Sequence, residues 1–226
     1  MAAKLFAVLI LLGAVAVLIT GVLGYVRARD ALEQAIFHQL TTARQNKARQ
    51  IETYFRTIHA ELRLLATSKM VVDATRDFRA AVAELERPDA PPELQRKVHD
   101  WYLSNFMPEM RRVLGKEPDL NDYVPTSAAA DYLQYHYIVT NPHPADRRKL
   151  VDDPGDGSTY SKLHATYHPL MRAAATTVGF FDFLIADPKT GRLIYTVEKE
   201  VDFVTSLRVG PYRHSNIAAA VARCAT

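Results

Sequence analysis

The chain has 226 residues, 48% of them apolar, with 28 Lys and Arg against 25 Asp and Glu. That composition excludes a wholly disordered or collagen-like chain, and a formal charge of +3 without any block of five basic residues gives nucleic acid nothing to hold. The single cysteine, Cys224, excludes an intrachain disulfide and a cysteine-based zinc site, so packing alone must hold the fold.

The N-terminus carries the clearest signal. Leu5 to Val26 runs without a charged residue, and between Leu5 and Gly24 only Thr20 has a hydrogen-bonding side chain. A bilayer needs about 20 apolar residues, whereas the apolar region of a cleaved signal peptide is usually about 7–15 and ends at a small-x-small site. Residues 1–26 therefore read as an uncleaved membrane anchor. Lys4 flanks it on one side and Arg27 and Arg29 on the other, so the charges do not fix its orientation. No later run reaches spanning length, which predicts a single pass.

From residue 27 to 87 the pattern predicts one long membrane-proximal helix, with no proline before Pro88 and no glycine between Gly24 and Gly115. Phe37, Leu40, Arg44, Ala48, Ile51, Phe55, Ile58, Leu62 and Leu65 recur at spacings of three and four, close to a heptad seam. Such a seam is covered either by a second copy of the helix in a homodimer or by the chain's own domain. Glu86-Arg87-Pro88-Asp89-Ala90-Pro91-Pro92 ends it, because proline lacks an amide donor and restricts the residue before it.

Residues 88–178 read as a helical segment. Leu94, Val98, Trp101, Tyr102, Phe106 and Met110 make one apolar face, which Pro108 should kink or break. Tyr132 to Val139 fits helix or strand equally, Asp152 to Ser161 has loop composition, and Tyr160 to Thr177 reads as helix. In 179–226 the period changes: Phe180 to Ala186 and Arg192 to Val197 form β-type runs around Asp187-Pro188-Lys189-Thr190-Gly191, a hairpin, with a last helix from about His214 to Arg223.

Gly179 to Asp187, Gly191, Tyr195-Thr196-Val197, Lys199-Glu200, Asp202-Phe203 and Gly210-Pro211-Tyr212 resemble the Cache-type extracytoplasmic sensor of bacterial transmembrane receptors. Gln134 to Ile138, Asn141-Pro142, Tyr160, His164, Tyr167-His168-Pro169 and Arg172 are similar to its helical lead-in. The resemblance implies an α+β fold carrying the first part of an antiparallel, PAS-like Cache sheet, a small-molecule ligand, no catalytic residues and no cofactor. It also implies an inner-membrane protein whose residues after 26 face the periplasm. Sheets of that family have five strands and an output module follows them, so the chain reads as a fragment with an open strand edge beside Leu193, Ile194 and Tyr195.

The ligand-binding candidates are Tyr135, Tyr137, Asn141, His164, Tyr167, His168, Arg172 and Asp182. Tyrosines with an asparagine suit a small pocket with a few placed hydrogen bonds, although packing explains each tyrosine equally well. Arg172, four residues after His168, could hold a carboxylate by its planar fork, or form an ion pair with Asp182 or Glu200. His164 and His168, also four apart, share a helix face and open the alternative of a metal-dependent hydrolase, but they lack the glutamate of an HExxH motif. No metal is expected. Lys199, Glu200 and Asp202 read as an exposed charged strand end.

Overall fold

The structure, a computed structural model, describes residues 2–86 and 91–224. Part of the expected helix terminator at 86–92 lies outside the described residues. The fold is of the α+β class, mostly helical with one small antiparallel sheet. The chain divides into two units after Ala60.

The first unit consists of helix α1, which runs Ala2–Thr67 into the second. It is long and apolar enough to cross a membrane, with a mean hydropathy of 2.9 over its most apolar window and no part of that window buried. The expected helix over 27–87 is instead two helices. Ser68 interrupts it: its own N–H bonds back to the Leu65 carbonyl, and its hydroxyl accepts the Val71 N–H as the cap of α2 (Lys69–Leu85). A serine can cap because its short side chain competes with the helical backbone, a local effect that apolar spacing does not register.

In the second unit α2 buries Val71, Ala74, Phe78, Ala81 and Val82, a stripe at three- and four-residue spacing. This stripe packs on α6 (Thr159–Val178), on α5 (Ala128–Gln134) and on strand β2 (Leu193–Thr196). Helices α3 (Pro92–Trp101) and α4 (Met107–Leu114) are joined by a π-turn, Tyr102–Phe106, and Pro108 follows it directly, so the helix continues past the proline through a local widening of its ladder rather than breaking there. The ambiguous stretch after Tyr132 is helical, ending in a second π-turn, Tyr135–Val139.

Gly179 ends α6 in the left-handed region at φ 80°, and the Phe180 amide turns back to the Ala175 carbonyl. Strand β1 (Leu184–Ala186) consequently begins four residues later than expected. Asp182 takes over the ladder there, its Oδ1 accepting the amides of Phe183, Val197 and Glu198 at 2.7, 2.8 and 3.2 Å. The hairpin pairs Leu184 with Thr196, Ile185 with Tyr195 and Ala186 with Leu193, with a bulge after Ile185.

The edge of β2 is not the open row expected. The returning segment at 204–207 covers it: Leu193 donates to Thr205 O and Val204 to Leu193 O, both at 3.0 Å, while Leu207 donates to Gly191 O at 2.7 Å. Leu193, Ile194 and Tyr195 are at most 2% exposed: residues of α2 and α6 cover Ile194 and Tyr195, and Leu207 and Ala218 cover Leu193. Among the described residues the sheet has two strands. Helix α7 (Asn216–Cys224) follows, with Ala218 packed against Leu193 and Leu207.

Candidate functional site

Helix α6 lays His164, His168 and Arg172 along one face at successive four-residue steps, and that face grips the segment 149–152. Carbonyl oxygens only accept, so the bonds fix the tautomers. His164 donates from Nδ1 to Asp152 O at 2.7 Å, and His168 donates from Nε2 to Lys149 O at 2.7 Å. His168 Nδ1 must then accept, and the Tyr195 hydroxyl donates to it at 2.7 Å. The imidazoles stack with centroids 4.1 Å apart. Both are fully buried, which holds them neutral: burial pushes His164 well below the usual range and His168 down to about 2.

His168 therefore has no lone pair left for a metal, and the arrangement does not favour the hydrolase alternative. His164 differs: its Nε2, which carries the lone pair, is buried with no hydrogen-bond partner.

Arg172 pairs with Asp152 at 2.7 Å and also donates to Lys149 O at 2.6 Å, so its partner is neither Asp182 nor Glu200. Tyr137 is fully buried, its hydroxyl 3.0 Å from Ser161 Oγ. The remaining candidates lie apart. Asn141 braces its own loop by donating to Tyr137 O and Arg148 O, Tyr167 donates to Asp77 on α2, and Tyr135 is half-buried beneath the Lys97 ammonium. Asp182, half-buried, is spent on the three amides of the hairpin, and burial pushes its carboxyl up.

The centre of the cluster is a residue assigned above to an exposed strand end. Lys199 is 0% exposed, and its Nζ lies 4.6, 5.2 and 5.6 Å from the ring centres of Tyr195, Phe203 and Tyr137 while donating to Thr196 O. Burial lowers it to about 7, against the pull of Asp182 and Glu198. Its backbone is left-handed at φ 59°, and Val204 in the same segment has φ 62°. Strand parity offered a signal, since Tyr195, Val197 and Lys199 share one side of an extended run and the first two are apolar.

Three recesses open to solvent elsewhere among the described residues, one of them, of about 460 Å³, between Leu207 and the start of α7. A hollow of about 570 Å³ along Asp30, Phe37 and Thr41 has a single helix for its wall and encloses nothing. A cleft of about 300 Å³ lies between 121–127 and 204–213, where Tyr123, Ser127, Arg192, Thr205, Ser206 and Arg213 supply polar groups. Arg192 is ion-paired with Glu86, and Arg213 donates to Gly210 O at 2.6 Å. Comparison with protein-family models, with curated proteins and with solved structures finds no match.

Proposed function

We propose that this chain is the ligand-sensing portion of a membrane-anchored, Cache-type receptor, held by α1 with its α+β unit outside the cytoplasm. What carries the reading is the cleft beside the hairpin's return segment, in a unit that follows a membrane-length apolar helix. The cleft reaches the lower end of the volume range for small-molecule sites, about 300–1,000 Å³, and its walls come from a helix lead-in and from the segment that closes the sheet edge. Two guanidinium groups and several hydroxyls suit a ligand carboxylate, which would compete with Glu86 for Arg192, and Asp122 on the same lining suits a ligand ammonium, as in an amino acid. The buried histidines and tyrosines that the sequence nominated act as support beneath that segment rather than as lining. Sensing then means preferential binding to one arrangement of the segment.

The full chain in lipid nanodiscs, melted against a panel of amino acids and small mono- and dicarboxylates, tests this. At a hundredfold excess over Kd a bound ligand adds about 2.7 kcal/mol, or about 5–10 °C for a unit of this size. At least one panel member should give a saturable shift of that order that Arg213→Ala abolishes. A folded chain whose melting no panel member moves overturns the reading.

A further inference from the structure

Lys199 is the one fully buried lysine among the described residues, and none of their carboxylates lies within ion-pairing distance of it. The two that bear on it are already engaged: Asp182 accepts three backbone amides and Glu198 pairs with Lys149 at 2.7 Å. From α6, the Arg172 cation opposes it and the neutral rings of His164 and His168 face it. Tyr137, Tyr195 and Phe203 form the remaining walls. A neutral amine suits this enclosure, whereas an ammonium has only ring faces and the Thr196 carbonyl in place of water.

The segment that carries Lys199 is also held against local preference. Lys199 and Val204 both sit in the left-handed region, which a β-branched residue rarely adopts, so leaving the site relaxes both. Three backbone bonds tie the end of the segment to the hairpin, two involving Leu193 and one from Leu207 to Gly191, while its middle is held separately by Gln134, which donates to Phe203 O at 2.7 Å and to Val201 O at 3.2 Å.

We propose that Lys199 is a proton-operated latch: as the neutral amine it fastens the return segment onto β2 and the Tyr135–Val139 π-turn, and proton uptake frees residues 204–207 from the hairpin edge. Val204, Thr205 and Ser206 line the cleft, so release would open its wall; the latch itself does not depend on the cleft binding any ligand. The sign follows from the lowered ammonium. Above about 7 the closed segment holds no proton on Lys199, while the open one, with an ordinary lysine, binds one up to about pH 10.4. Opening therefore increases as pH falls through this range, by about tenfold per pH unit for one proton, and levels off below about 7. Other groups here titrate elsewhere or can be controlled. Both histidines are pushed down, the phenols of Tyr137, Tyr160 and Tyr195 are pushed up, Asp202 rises to about 6, and Asp182 and Glu200 are raised by burial.

Hydrogen exchange on the full chain in nanodiscs between pH 6 and 9, corrected for intrinsic rates, tests the latch at the Val204 and Leu207 amides, with the α6 amide of Met171 as internal reference. Relative to Met171, protection of both should fall about fiftyfold from pH 9 to pH 7 and flatten toward pH 6. Lys199→Met should abolish the slope, and Asp202→Asn and Glu200→Gln should keep it. A flat wild-type ratio, or an unchanged slope in Lys199→Met, overturns the proposal. If Lys199→Met fails to fold, the wild-type profile decides alone, since a slope without the plateau near 7 overturns it equally.

Discussion

His168 shows how completely the interior accounts for its polar atoms, with one ring nitrogen donating to Lys149 O and the other accepting from Tyr195. Tyr195→Phe keeps the ring stacked on Phe78, centroids 5.1 Å apart, but leaves a buried acceptor without its donor. Such a loss costs about 1–3 kcal/mol, or about 2–12 °C in the melting midpoint at this size. Tyr167→Phe is the reference: its hydroxyl donates to Asp77 on a half-exposed surface where water replaces the partner, so its midpoint should barely move. Equal midpoints for the two variants would show that His168 finds another donor. The sequence nominated Tyr137, His164 and His168, which do meet, because residues four apart on α6 and an aromatic run before it can be seen from spacing. It misplaced Lys199, because a charge after a strand reads as solvated unless the enclosing rings, at Tyr137 on the distant π-turn and close by at Tyr195 and Phe203, are known to converge.

At the scale of elements, the strongly periodic helices and the hairpin were legible, while their ends were set by side chains acting on the backbone. Ser68 divides what spacing alone made one helix, and Asp182 ends the ladder by substituting a carboxylate for strand carbonyls. The hairpin turn shows the same control. Asp187 accepts the Lys189 amide and the Thr190 hydroxyl, and Gly191 closes the turn at φ 70°. A Cβ at Gly191 would meet Arg208 Cγ at 2.7 Å, and Arg208 is itself tied to Pro188 O at 2.8 Å. Gly157 has a similar φ of 73° with nothing within 4 Å. Gly157→Ala should therefore cost only the left-handed backbone, about 1–2 kcal/mol, and Gly191→Ala roughly 1 kcal/mol more, read as melting midpoints. Equal drops would mean that the Arg208 side chain swings clear without loss.

For the whole molecule the open question of the seam is physical: Phe37, Leu40, Ile51 and Phe55 are 63, 62, 57 and 54% exposed, and α1 has no buried residue. Large apolar side chains repeated at near-heptad spacing lose about 25 cal/mol per Å² by remaining in water, and anchoring in a bilayer raises the local concentration of a second copy. The receptor reading therefore predicts that α1 pairs with its counterpart over Phe37 to Leu65, with Arg44 limiting the strength of the pair. In a Cys224→Ser background, Leu40→Cys and Ile51→Cys should form disulfide-linked dimers in membranes several-fold faster than Thr53→Cys, which the same periodicity turns away from the seam. Equal rates at the three positions would mean that collisions, not a packed seam, bring the copies together, and the exposed apolar stripe would need a different partner.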